Sequence, residues 1–371
     1  MSCDLMKYFC YSPFRYLFRI VLFITALFGY AAFANAQIKY LNLSPSQIDL
    51  NRTAVVLSPK QQRQFPGSHG GFRWDKGDNN TAKWRPQGIA GFISNNKNYL
   101  AVSWYGRKSE GYSNRGARIS IVDISNGASI KYRHVLLVDE KFRTFRDMHA
   151  GGLVVRKNRL HVPDSRKNAN RIHVFALDRI LEIPKPLREK FFGYRYVLRK
   201  RASYSVPIKP SFLSYGWQAD RLLVGSFHRC GKTHSDSETC RSHRNNKLVW
   251  VPLSRPKEAF SNVCGPFFSE MQGAASGSVA GFNRPVLWSA SSYGRNGISH
   301  LHITTFNRDS CANQGPQMGK TSVITYPPGL EDIHLSKSSS NLWMLTEFGP
   351  HEGKGNNRVV FVTHQSQLLP N

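Results

Sequence analysis

A short motif of a polar residue followed by small residues, opening an apolar run, recurs five times along this 371-residue chain. It reads Pro86-Gln87-Gly88-Ile89-Ala90, then Met148-His149-Ala150-Gly151-Gly152, then Ser211-Phe212-Leu213-Ser214. It returns as Met271-Gln272-Gly273-Ala274-Ala275 and as Glu331-Asp332-Ile333-His334-Leu335. The successive spacings Gln87 to His149, His149 to Phe212, Phe212 to Gln272 and Gln272 to Asp332 are 62, 63, 60 and 60 residues. A fixed period of this size marks a repeat architecture, in which each repeat is one unit that buries its faces against its neighbours.

Each landmark is followed by a second run of strand composition: Tyr99–Tyr105, Arg159–Ser165, Arg221–Phe227, Val286–Tyr293 and Leu342–Phe348. A third follows at Arg118–Ile124, Arg171–Leu177, Lys247–Leu253, His300–Phe306 and Arg358–His364. β-Branched and aromatic residues alternate with polar ones, and turn residues separate the runs. More variable fourth strands are expected at His134–Glu140, Tyr194–Ser205 and Thr321–Tyr326. Four antiparallel strands per repeat form a propeller blade. The expectation is therefore all-β: a five-bladed β-propeller over residues 37–371, with blades starting near 85, 147, 210, 270 and 331. The fifth repeat runs out after His364 with three strands. Thr53–Ser58 has strand composition and is expected to pair with Arg358–His364, closing the ring and removing two sheet edges.

The N-terminus has the pattern of an export signal. Lys7, Arg15 and Arg19 precede an apolar run from Ile20 to Phe33, and Ala34-Asn35-Ala36 offers a small-x-small cleavage site. Residues 1–36 then form a signal peptide, and the protein is periplasmic or secreted. The competing reading is an uncleaved anchor, for which the run is short. Four cysteines follow: Cys230, Cys240, Cys264 and Cys311. An even count in an exported chain points to two disulfides with three connectivities. The simplest staples the long turn with Cys230–Cys240 and leaves Cys264 for Cys311. The cluster His228, Cys230, His234, Cys240, His243 has no standard zinc spacing.

The formal net charge is +28, and removing residues 1–36 leaves +26. Such a balance attracts polyanions: acidic polysaccharide, lipopolysaccharide, an anionic membrane surface or nucleic acid. An exported protein rarely meets nucleic acid, which ranks last. The densest basic stretch is Lys185 to Arg201, including Lys185, Arg188 and Arg199 with interleaved Phe and Tyr. It reads as an edge strand with a charged face.

In a propeller the residues entering the first strand and leaving the second converge on one mouth of the channel. The entering positions carry Gln87, Asp147, His149, Glu270, Gln272, Glu331, Asp332 and His334. The leaving positions carry Trp104, Asp164, Ser226, Ser292 and Glu347. Six of the 22 acidic residues after position 36 fall here, although nearby carboxylates repel and raise one another's pKa. Three readings stay open. Glu331 and Asp332 could ligate Ca²⁺ with Gln carbonyls completing the shell. His149 with Asp147, Asp164, Asp332 or Glu347 could serve as general acid and base. The groups could instead satisfy turn amides and join blade to blade. For ligand binding, Gln87, Trp104, Gln272 and His334 are the mouth candidates, and Lys185, Arg188 and Arg199 are the expected basic contacts to an anionic ligand. No G-x-S-x-G elbow is present, which excludes a standard α/β-hydrolase site.

The run Lys83-Trp84-Arg85-Pro86-Gln87-Gly88-Ile89, the strand Leu100–Tyr105, His149-Ala150-Gly151-Gly152 and Leu342–Glu347 resemble a group of secreted bacterial propeller-like proteins without an established activity. That resemblance spans roughly residues 83 to 348 and implies export and a propeller, but no chemistry. More distantly, the architecture is similar to calcium-dependent lactonases and strictosidine-synthase-like proteins. Those are six-bladed with an Asn/Asp/Glu metal cage, where this chain offers Gln and His. Five-bladed sugar-cleaving propellers place acids in the funnel, and by analogy of fold Glu347, Asp332 and Asp164 occupy such places. The functional expectation is a protein binding an anionic ligand, a glycan, at the channel mouth. A metal-dependent hydrolase or lyase at the same mouth, and a scaffold for a protein partner, are the alternatives.

Overall fold

The computed structural model describes residues 40–215, 220–229, 244–253, 263–279, 285–292, 297–306, 318–336, 338–352 and 358–369. The expected signal segment, residues 1–36, and Cys230, Cys240 and Cys311 lie outside them, as does the side chain of Cys264. The elements below all belong to one compact unit, Leu41–Asn371.

Four short strands come first: β1 (Asn42–Leu43), β2 (Arg52–Thr53), β3 (Val55–Val56) and β4 (Ser68–Arg73). Five antiparallel groups are built from these and the strands that follow, four of them with four strands and the last with five. The first is β5 (Trp84–Ser94), β6 (Lys97–Gly106), β7 (Ala117–Asp123) and β8 (Lys131–Val138). The second is β9 (Val154–Arg156), β10 (Arg159–Asp164), β11 (Arg171–Glu182) and β12 (Tyr196–Ser205). The third runs β13 (Phe212–Tyr215), β14 (Arg221–Gly225), β15 (Arg244–Pro252), β16 (Val263–Phe268). The fourth is β17 (Met271–Gly277), β18 (Val286–Ser291), β19 (Ser299–Phe306), β20 (Met318–Tyr326). The fifth contains β21 (Leu330–Ser336), β22 (Asn341–Thr346) and β23 (Val359–His364), completed by β4 and then β3. The chain is all-β and propeller-like.

Local chemistry makes the hairpins. β5 and β6 meet through Asn95-Asn96, and β9 and β10 through Lys157-Asn158; all four residues have positive φ. A two-residue turn with φ > 0 at both positions matches the right-handed twist of its strands. The middle strands carry apolar side chains on both faces, as in Leu100-Ala101-Val102, because each group is packed on both sides. The core is accordingly divided. One cluster lies between each successive pair of groups: Ala101 with Leu160, Val154 with Leu222, Phe212 with Met271, Trp288 with Met344, and Leu345 with Leu100. The last junction returns to the first group.

The first strands β5, β9, β13, β17 and β21 touch one another in the same cyclic order. They approach to backbone contact at the repeated landmark. A Cβ on Gly88 would overlap the carbonyl oxygen of Gly151, and one on Gly151 that of Ser211. The small residue in the motif is thus set by the width of the axis.

Three expectations are corrected. β4 pairs with β23, from Val359↔Arg73 to Thr363↔Ser68, and Val55–Val56 of the expected closing strand lies one position farther out, on β4. Residues before the first landmark do complete the last group, but the segment Ser68–Arg73 does it. Lys185–Phe191 is a 3-10 helix, and β12 is no edge. It pairs with β11 on one side and, in parallel, with β8 on the other (Val197↔Leu136 to Arg199↔Val138). The first two groups thereby fuse into one sheet. The third group also has a fourth strand, β16, which turn-rich surroundings hid.

Replacing Gly151 by Ala is expected to destabilise the chain by about 3 kcal/mol or more, since backbone must move to admit the methyl group. Gly127→Ala, where no atom lies within 4 Å of the added carbon, is expected to stay within about 0.5 kcal/mol. Urea unfolding of both variants checks the pair; equal effects would contradict close packing at the axis.

Candidate functional site

At one end of the axis the first strands leave a cavity of about 470 Å³. Its walls hold Gln87, His149, Gln272, Glu331 and Glu347, five of the residues expected at the mouth. The centre is a carboxyl pair. Gln87 Nε2 donates to Glu331 Oε2 at 3.1 Å and to Glu347 Oε2 at 3.2 Å. The two carboxyls thus meet on one amide nitrogen. Burial, and then the charge of Glu347, push Glu331 well above the usual carboxylate range. Burial likewise raises Glu347, with Arg85 opposing and Glu352 adding to the rise. Two carboxyls in contact in a buried site share a proton, because both cannot ionise.

A second layer holds this pair in place. Arg85 Nη1 lies 3.7 Å from Glu347 Oε2, while Arg85 Nη2 donates to Glu352 Oε1 at 2.6 Å. Glu352 also accepts from Arg358 at 2.6 Å and Arg107 at 3.2 Å. The guanidiniums are thus largely committed to Glu352, which leaves the Glu331–Glu347 pair short of counter-charge. On the wall, the Tyr105 ring stacks on His149 with centroids 4.1 Å apart. Burial, followed by the charge of Glu347, raises the Tyr105 phenol. Desolvation, with Lys209 and Arg85 adding to the effect, lowers the His149 imidazole, although the residue keeps an exposed edge. Gln272 Nε2 donates to the Ser292 carbonyl at 2.8 Å, which turns its oxygen away from that contact.

Beneath the cavity, Asp332 is fully buried on the axis. Its Oδ2 accepts from the amides of Ile89 (2.9 Å) and Leu153 (3.3 Å), tying β5 and the start of β9 to β21. Burial pushes it well above the usual range against the pull of these amides.

The other expected residues lie elsewhere. Asp147 is exposed, 3.6 Å from Arg146, and outside the cavity lining. Asp164 is buried at the end of β10. Burial alone would raise it, but hydrogen bonds from Arg166 (2.6 Å) and His173 (3.0 Å) hold it well below the carboxylate range. Trp104 faces the core and donates to Ser120 Oγ at 2.8 Å; its neighbour Tyr105 faces the cavity. His334 points into a separate cavity of about 770 Å³, beside Gly91. Lys185 and Arg188 sit on the 3-10 helix, where Arg188 donates to the Ile183 carbonyl, and Arg199 sits on β12 over the Phe142 ring. Sequence reading missed Arg85, Tyr105, Lys209 and Glu352. Tyr105 is one register step away from Trp104, and Arg85 adjoins the first landmark.

Among the described residues no group of three or more His, Cys, Asp or Glu is arranged to hold a metal. Glu331 and Glu347 meet on the nitrogen of the Gln87 amide, so that side chain turns a donor rather than its carbonyl oxygen towards them. Glu331 and Asp332 face different surroundings, one the cavity and the other the amides of the axis.

No protein-family model matches the chain, and no curated protein matches it. Solved structures do. An aldose sugar dehydrogenase from Streptomyces coelicolor, in its PQQ-bound form, is 12% identical over 75% of this chain and 93% of its own, with a TM-score of 0.35. A putative oxidoreductase (glucose dehydrogenase) from Thermus thermophilus is 11% identical over 75% and 96%, with a TM-score of 0.39. A GH43_1 enzyme from Xanthomonas citri is 10% identical over 76% and 88%, with a TM-score of 0.42. Likeness at this level carries no chemistry over to this chain.

Because Glu331 and Glu347 are raised on folding, the native chain holds a proton that the unfolded chain releases above the ordinary glutamate range. Stability therefore falls as pH rises from that range through the raised one. Glu331→Gln removes the cost. Its melting temperature is expected to exceed that of the unaltered chain at pH 8 by about 2 °C or more and to converge with it near pH 4. A lower melting temperature at pH 8 would contradict the pair.

Proposed function

We propose that the chain is an exported five-bladed β-propeller that binds a glycan in the axial cavity. The ring rests on the five interface cores and on first strands that meet in cyclic order. Export rests on the pattern of residues 7–36. The observation that carries the ligand class is the buried pair Glu331–Glu347 bridged by Gln87. A polar floor that both donates and accepts suits vicinal hydroxyls, and the stacked Tyr105–His149 wall offers a flat face to a sugar ring. With one proton on the pair and Arg85 paired to Glu352, Lys209 balances the remaining negative charge of the lining. The ligand of this cavity needs no net charge.

The shared proton favours a second reading, acid–base catalysis with the pair as acid and His149 as base.

Calorimetry against a panel of neutral and acidic oligosaccharides tests the proposal. Gln87→Ala and Tyr105→Ala are each expected to weaken the best ligand at least tenfold, roughly 1.4 kcal/mol, with unchanged ligand ranking. No binding across the panel, or binding indifferent to both variants, would overturn it. Turnover of the bound ligand that disappears in His149→Ala at unchanged melting temperature would establish the catalytic reading.

A further inference from the structure

The strongly basic chain does not concentrate its charge in the axial cavity; it does so in another, of about 320 Å³, on the rim of the first group. Five guanidinium groups line it: Arg52, Arg115, Arg118, Arg133 and Arg195. They come from five places. Arg52 is on β2, Arg133 on β8 and Arg118 on β7, while Arg115 precedes β7 and Arg195 precedes β12. The joining of β2 and β12 to β8 gathers them. Among the described residues no carboxylate lies in the lining.

The carboxylates stand behind and fix the arginines from the rear. Buried Asp78 accepts from Arg118 (2.8 Å), Arg52 (3.1 Å), Tyr132 Oη (2.7 Å) and His134 Nε2 (2.8 Å). Asp75 accepts from Arg52 at 2.6 Å, Glu182 from Arg195 at 2.7 Å and Asp49 from Arg195 at 3.2 Å. Desolvation pushes His134 down to about 4, so it adds no charge. Arg133 has Asp49 only at 3.8 Å. Its guanidinium is lowered by desolvation, and the neighbouring Arg195 and Arg52 add to this. Arg115 has no ion pair among the described residues. It is held flat over the rings of Tyr112 (4.3 Å) and Phe192 (4.8 Å). Buried Arg118 lies over Trp84 at 4.5 Å, and its Nε has no hydrogen-bond partner among the described residues.

We propose that this cavity binds the oxyanion groups, sulfate or carboxylate, of an acidic polysaccharide, separately from the axial cavity. Planar guanidiniums held by packing are pre-organised for bidentate contact with such groups. Arg115 lies over one face of Tyr112 and of Phe192, and Arg118 over one face of Trp84, so those faces already hold a guanidinium rather than a nucleobase. A saccharide needs no such platform. The site does not rest on the reading of the axial cavity, since the two linings share no residue.

The test is calorimetry of the full chain with a sulfated oligosaccharide, an oligouronate and a single-stranded oligonucleotide of equal charge, at two salt concentrations. Arg115→Gln/Arg133→Gln is expected to weaken the preferred saccharide at least tenfold and to flatten its salt dependence. Lys185→Gln/Arg199→Gln removes the same charge outside the cavity and is expected to change affinity less than twofold. Should the double variant fail to fold, Arg115→Lys keeps charge and packing and is expected to lose several-fold through loss of the fork. The relative response to the sulfated and uronic probes assigns the oxyanion. Equal weakening by the two doubles, no weakening by the cavity variants, or tighter binding of the oligonucleotide would overturn the proposal.

Discussion

The structure depends on how closely the five first strands approach one another around the axis. At the repeated landmark the backbones of β5 and the segment leading into β9 are in contact, with Gly88 against Gly151 and Gly151 against Ser211. Asp332 fills the remaining space, between Gly152 and Gly273, and accepts the amides of Ile89 and Leu153. An axis this narrow leaves no room for a central core. Apolar surface is buried instead in five separate seams between neighbouring groups. The packed axis also closes the cavity from below, so the space above it has a polar floor rather than being an open channel. The same few residues therefore set the architecture and the place of the candidate site.

Acidic residues are scarce in this basic chain, and the structure sorts them by their partners. Asp78 and Asp164 are buried but face guanidinium and imidazole donors, so they stay ionised and act as anchors. Glu352 collects three arginines and does the same. Glu331, Glu347 and Asp332 lie on the axis where those arginines are already engaged, and burial drives them towards the protonated form. Holding carboxyls in such surroundings costs stability at neutral pH, a pattern that favours a functional site over an anchor. Sorting also separates the two cavities: one balances its charge around a shared proton, the other turns guanidiniums outward with carboxylates behind.

Much of the fold was legible because it is periodic. Landmark spacing, strand composition and paired turn residues such as Asn95-Asn96 and Lys157-Asn158 repeat with the period. What escaped depends on partners distant in sequence. Ser68–Arg73 contains two glycines and reads as a poor strand, yet it pairs with β23. Val55–Val56 reads well and lies outside it. The parallel join of β8 to β12 has no local signal at all. In the site, Gln87, His149, Gln272, Glu331 and Glu347 were legible from repeat position. Tyr105 lines the cavity where Trp104 was expected, because a one-residue register step reverses the face of a strand. Arg85 and Glu352 lie 267 residues apart and meet only in the folded chain. His334 sits three residues after Glu331 on the same strand, and that length carries it to a different cavity.

The central claim is that Glu331 and Glu347 hold one proton between them in a chain at neutral pH. Isotope-edited infrared spectroscopy of the glutamate carboxyls, comparing the unaltered chain with Glu331→Gln at pH 7, tests it most directly. The account predicts a protonated carboxyl band in the unaltered chain that is lost in the variant. Carboxylate bands alone, with both glutamates ionised at pH 7, would contradict it.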